Sequence, residues 1–171
     1  MEETKLLAFA IITIAASTAI LLITSPKLGK PLTGLEEVNK LEVRGNTLLI
    51  GNDCHIIPMV ISTDQKEAIS RALNDKKTER PLTHQLFANT LDKAEISLDK
   101  VVIHSLENQS YRAYLYIEKG SGVIKVDSRP SDSVALALRT DTYIYIKESL
   151  LKSQGRDICT GVKGEKEGTA I

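Results

Sequence analysis

Between Leu6 and Ile23 the chain reads LLAFAIITIAASTAILLI, with no charge, proline or glycine. At about 1.5 Å of rise per residue, a helix of this length approaches the roughly 20 apolar residues that a bilayer core requires. A helix apolar on every side needs a large core or a membrane around it, and a small domain offers no such core. The expectation is a single N-terminal transmembrane helix within residues 1–24. A cleaved signal peptide is the rival reading, but Glu2 and Glu3 make a poor positive n-region and no small-x-small cleavage site follows Ile23. Lys27 and Lys30 follow the run whereas only Lys5 precedes it, which places the remainder on the cytoplasmic side by one charge.

After the anchor, Ser25 to Gly34 (SPKLGKPLTG) reads as a linker, because its prolines and glycines stop the helix from running on. Residues 35–151 form the expected domain, and residues 152–171, rich in glycine and charge without apolar period, read as a flexible tail. Within 171 residues one ordinary domain fits and two do not. Lys plus Arg (22) equals Asp plus Glu (22) over the whole chain. Nothing here resembles the basic excess of a protein that holds nucleic acid mainly by neutralising phosphate. Cys54 and Cys159 have neither zinc-ligand nor CxxC spacing, which disfavours a thiol metal site and a disulfide framework alike.

The domain alternates short strand-like runs with three helical patterns. LEVRG, NTLLIG and HIIPMVIS read as strands, the last carrying Pro58, which suits an edge or a bulge. TDQKEAISRALN reads as a helix with Ala68, Ile69, Ala72 and Leu73 inward and a capping-box relation between Asp64 and Glu67. THQLFANTLDKA is a second, capped by Thr83, with Leu86, Phe87, Thr90 and Leu91 inward. Three strands, a third helix in PSDSVALALR and a final strand TYIYIK complete it. Without regular βαβ units the class is α+β, with a mixed, mainly antiparallel sheet and about three helices. A shift of sixty-five positions overlays Ile61, Glu67, Ile69, Ala72 and Leu73 on Val126, Asp132, Val134, Ala137 and Leu138, two similar strand-helix units.

The stretch VDSRPSDSVALALR, Val126 to Arg139, is the most distinctive. Asp127 and Arg129 stand two apart on a strand and so share a face. Pro130 breaks the strand, and Ser131 and Asp132 open a helix that is apolar nearly all round, so its polar first turn is held by a buried body. Arg129 and the helix N-terminal amides suit a phosphate oxygen, and Asp127 with Asp132 suits a divalent metal. The plainer alternatives are an ordinary helix start and a salt bridge fixing the turn. His84, in the first turn of its helix, sits where the dipole favours a neutral ring able to take a proton or a metal. Arg80 before Pro81 is a candidate phosphate contact or a solvated loop arginine.

The five tyrosines fall in two strand runs, YRAYLYIEK and TYIYIK. Such rows stack nucleobases or, more often, pair across a sheet or at a subunit interface. No Walker loop, GxGxxG, nucleophile elbow, HExxH or DxDxDG loop is present.

DSRPSDSVALALR, preceded by RPLTHQL and by PMVIS with EAISRAL, resembles the bifunctional nuclease family, whose characteristic segment runs close to DARPSDAIALALR with an upstream RPxTHDL. The resemblance covers roughly Val38 to Leu151. It implies a compact α+β protein with nuclease activity on RNA and DNA. The family's shared polar positions fall on Glu67, Arg80, His84, Asp127, Arg129, Ser131, Asp132 and Arg139. Ser128 and Ser133 stand where alanines are usual, and Gln85 stands where an aspartate is usual, a lost carboxylate beside His84.

The reading that follows is a membrane-anchored nuclease hydrolysing phosphodiester bonds of RNA or DNA. Asp127, Asp132, His84 and Glu67 are its expected catalytic residues. Asp127 and Asp132 would hold a magnesium or manganese ion, and Arg129, Arg80 and Ser131 would hold substrate. Its expected partners are nucleic acid, the membrane and a second copy of itself. The alternative is a non-catalytic, membrane-tethered binding or assembly module on the same fold.

Overall fold

In the computed structural model the described residues are 32–159. The apolar run 6–23 and most of the linker lie outside them, so the expected anchor does too. Among the described residues no helix is long and apolar enough to cross a membrane.

The domain is α+β, and its strands form two sheets rather than one. Strand β1 (Leu35–Glu37) belongs to the larger sheet, while β2 (Lys40–Arg44), β3 (Thr47–Gly51) and β4 (His55–Val60) make an antiparallel meander. Helices α1 (Thr63–Leu73) and α2 (Thr83–Lys93) follow, then β5 (Ser97–Glu107), β6 (Ser110–Lys119) and β7 (Gly122–Ser128). Helix α3 (Pro130–Thr140) leads to β8 (Tyr143–Lys147), α4 (Glu148–Gln154) and β9 (Arg156–Asp157). The larger sheet has the order β1-β8-β5-β6-β7, antiparallel except for the parallel pair β5–β8, and the smaller one runs β2-β3-β4-β9.

Helix α3 is the axis of the core. Pro130 at its first turn has the backbone torsion a helix needs there. Val134, Ala135, Leu136 and Ala137 are all buried, as an all-round apolar helix requires. Leu48, Ile50 and Ile57 of the small sheet, Val101, Ile103, Ala113 and Ile146 of the large one, and Ile69 of α1 join it in one cluster. Helices α1 and α2 both pack on α3, so the two similar strand-helix units lie helix to helix.

Several expectations are corrected here. A fourth helix and β9 occupy Glu148–Asp157, so the domain does not end at residue 151 and the tail's first residues are structured. Leu150 and Leu151 anchor α4 in the core, an apolar pair too short to register as a period in the sequence. Cys54 and Cys159 form a disulfide, against the expectation from spacing. Main-chain pairing of β9 with β4 carries the second thiol to the β3–β4 turn, which no motif spacing reports. The cap of α1 is Ser62 with Gln65, a reciprocal capping box, instead of Asp64 with Glu67. Thr83 is the first residue of α2 and Leu82 its cap position. The inner face of α2 carries Ala88 and Leu91, whereas Leu86, at 54% exposure, and Phe87 face outward. Ala88 lets the helix approach closely, and that rotation turns His84, one turn earlier, toward α3. Pro58 sits beyond the short reach of β9, where β4 has no outer strand partner among the described residues.

Candidate functional site

Three elements converge where β7 hands the chain to α3. Strand β7 ends at Ser128, Arg129 takes the cap position of α3 in an extended conformation, and Asp132 stands in the first turn. The Arg129 guanidinium therefore swings onto Asp132 and does not share a strand face with Asp127: its Nε–H donates to Oδ2 at 2.7 Å. Across the α2–α3 contact, His84 Nε2–H donates to the other oxygen, Oδ1, at 3.2 Å. Asp132 is thus held by an imidazole and a guanidinium, and its side chain is 32% exposed. A carboxylate can only accept here, so the imidazole's lone pair falls on Nδ1.

Asp127 lies beside this pair on β7, and its nearest cation is Arg112, Nη1 to Oδ2 at 3.8 Å. Arg112 is pinned from the far side by Glu107, Nε to Oε2 at 3.0 Å. Asp127, Arg129 and Asp132 border one open cavity of about 560 Å³, with Tyr111 and Arg112 opposite them. Burial pushes the Tyr111 phenol above its ordinary value, so the hydroxyl in this wall is a neutral hydrogen-bonding group.

Ser131 is 5% exposed, and its hydroxyl is buried without a hydrogen-bond partner. Ser128 and Ser133 bond hydroxyl to hydroxyl, and Ser128 also reaches the Ala113 carbonyl, which ties β7, α3 and β6 together under the site. Where alanines are usual, this chain thus carries a hydrogen bond in a buried place.

The other expected residues stand elsewhere. Glu67 bonds Arg71 one turn along α1 and borders a separate hollow with Ser70 and Asn74. Arg80 is exposed in the loop before α2, its carbonyl accepting from Thr78. Gln85 does not serve His84: its Oε1 accepts from Arg139 Nη1 at 2.6 Å, at the opposite end of α3. The missing aspartate therefore bears on the packing of α2 against α3 and leaves the His84–Asp132 pair intact. Ser110, Tyr111 and Arg112, at the start of the tyrosine-bearing strand run, line the site although no motif marks them for it. The short turn at Gly120–Gly122 sets Tyr114 opposite Asp127, and counting back from it brings Arg112 alongside.

Among the described residues no group of three or more His, Cys, Asp or Glu is gathered to hold a metal. Two carboxylates on one groove still match what a hard divalent ion takes, one or two carboxylates with water and phosphate completing the shell. Asp127 is the more available donor, since both oxygens of Asp132 are already engaged.

Residues 48–158, the stretch that carries this whole arrangement, match the model of the bifunctional nuclease domain. The chain belongs to the bifunctional nuclease domain family. An uncharacterised Mycobacterium tuberculosis protein, Rv1829 in strain H37Rv and MT1877 in strain CDC 1551, is 35% identical over 104 residues, covering 61% of this chain and 62% of that one. Bifunctional nuclease 2 of Arabidopsis thaliana is 24% identical over 118 residues, 67% of this chain and 36% of its own length. The chain therefore matches about three fifths of the bacterial relative and about a third of the plant one.

Proposed function

We propose that this bifunctional nuclease domain hydrolyses phosphodiester bonds of RNA or DNA in the groove between β7 and the first turn of α3. The observation that carries the reading is the His84–Asp132–Arg129 constellation, whose Asp132 and Arg129 border a cavity that also holds Asp127. Asp132 bonds Nε of Arg129, and that side chain is 71% exposed at the border of the cavity, so its terminal nitrogens are available to solvent as a fork for phosphate. His84 Nδ1 takes the proton from the attacking hydroxyl or water, while Asp132 holds the ring in that tautomer. The same imidazolium returns the proton to the leaving oxygen.

A magnesium or manganese ion fits this proposal through Asp127, with Asp132 as second donor; when bound it would supply charge neutralisation at the phosphate and a more acidic water. Glu67, paired with Arg71, and Arg80, in the exposed loop before α2, do not border the cavity and are given no part in the proton path.

The proposal also keeps the apolar run 6–23 as a membrane anchor. The disulfide favours the oxidising face of that membrane, opposite to the side suggested by one lysine, because such bonds persist outside the reducing cytoplasm. Self-association is part of the reading as well, resting on the outward Leu86 and Phe87 of α2 and on Leu82 at its cap.

The test is cleavage of labelled single-stranded RNA and DNA by the full chain in detergent, with magnesium, with manganese and with chelator, beside Asp127→Ala/Asp132→Ala. Metal-dependent cleavage lost in the double variant is the expected result. Chelator-resistant cleavage removes the metal, and a folded protein that cleaves nothing returns the reading to a tethered binding module.

A further inference from the structure

A second hollow shares a wall with the charged groove. Ser110, Tyr111 and Arg129 border both, so Arg129 stands on the ridge between them. On the far side of that ridge the chemistry changes. Pro58, Met59 and Val60, from the outer end of β4, make an apolar wall, and Gln65 and Gln109 stand at its polar margin. The volume is about 330 Å³, in the range where pockets for small organic groups begin, roughly 300 Å³.

We propose that this hollow receives the base of the nucleotide whose phosphate lies at Arg129, so that the enzyme acts on unpaired strands. The inference rests on the nuclease reading and adds to it a substrate class. A nucleotide has an anionic end and, a sugar away, a flat body with apolar faces and a hydrogen-bonding edge. The two hollows present those chemistries in that order, with a guanidinium between them. The polar margin suits a base edge. Gln65 spends its side-chain oxygen on the Ser62 N–H, which leaves its NH₂ as a donor, and Gln109 supplies a further amide. Ser131 also borders the hollow, with the buried hydroxyl that has no protein partner. Val60 is 89% exposed at this wall, an apolar face for a ring to cover. A base paired in a duplex has its edge occupied and its faces stacked, so it cannot enter.

Two substitutions test this without touching the charged groove. Val60→Asn replaces the most exposed residue of the apolar wall by a polar one at a strand end. Gln109→Gly removes the amide at a turn position whose φ of 63° glycine adopts freely. Binding of a labelled phosphorothioate DNA single strand to the full chain is compared with the same strand made abasic, with its duplex, and with competition by inorganic phosphate. The base-bearing strand is expected to bind about tenfold more tightly than the abasic strand or the duplex. In the double variant that gap closes to about twofold, while competition by phosphate and melting temperature stay as before. Equal binding of base-bearing and abasic strands, with phosphate still competing, overturns the base subsite alone. Base-dependent binding without cleavage of an ordinary strand upholds the subsite and overturns the nuclease reading. Absence of both binding and cleavage overturns both.

Discussion

At Asp132 a single carboxylate accepts from an imidazole and a guanidinium at once, and these three groups are expected to act as a unit. His84→Gln and Asp132→Asn should each lower kcat by about 10²- to 10⁴-fold, the range of a positioned acid–base group. The double variant should lose little more than the worse single one, because each removes the same proton path. Steady-state cleavage rates of the three variants check this, and multiplicative losses would separate the two residues. His104 is a second residue with a readable consequence. Its ring stacks on Tyr114 with centroids 3.9 Å apart, and its Nε2 is buried without a partner. Desolvation holds its imidazole below the ordinary value, with Lys125 and Lys147 adding to the effect and Glu107 and Asp127 opposing it. Below about pH 6.5 the unfolded chain binds a proton that the folded one resists, so stability falls as pH falls through that region. Melting curves from about pH 7 to about pH 5 should show the decline, and His104→Asn should flatten it.

Among elements, the shortest strand closes one of the long loops of the chain. β9 pairs with β4 through only His55↔Asp157 and Ile56↔Arg156, and the Cys54–Cys159 bond closes 105 positions beside it. A loop of that size loses much of its unfolded-state freedom when cross-linked, worth up to about 4 to 5 kcal/mol. Reduction, or Cys54→Ser with Cys159→Ser, should lower unfolding free energy by several kcal/mol in a denaturant titration; an unchanged midpoint would show that β9 and α4 hold without it. Element assignment was largely legible from period. The alternation in YRAYLYIEK and the all-round apolar ALAL of α3 are local signals, and both elements stand where they were expected. The face of α2 was legible only in part. Leu91 is buried as expected, but Leu86 and Phe87 are exposed and Ala88 takes the inner face beside it, because close approach to α3 selects the small residue there.

At the scale of the molecule, α3 couples the core to the site. Its apolar body packs on the larger sheet and on α1 and α2, shares one core cluster with residues of the smaller sheet, and its first turn carries Asp132. Leu136, nearly fully buried in that body, should cost about 2 to 5 kcal/mol when replaced by alanine. Because the loss is in packing, chemical denaturation should report it while cleavage per folded molecule holds near that of the parent. A parallel collapse of kcat would mean that the first turn had moved. What the sequence by itself determined is short in range: strand and helix periods, a proline-started buried helix, and the motif around Asp127–Asp132 that marks the family. What only the tertiary structure decided are pairs that lie far apart in the chain. His84 meets Asp132 across 48 positions, Gln85 meets Arg139 across 54, and Cys54 meets Cys159 across 105. Periodicity records which face of an element is buried, whereas these meetings depend on which buried faces choose one another. That choice is made by side-chain volume and packing over the whole core.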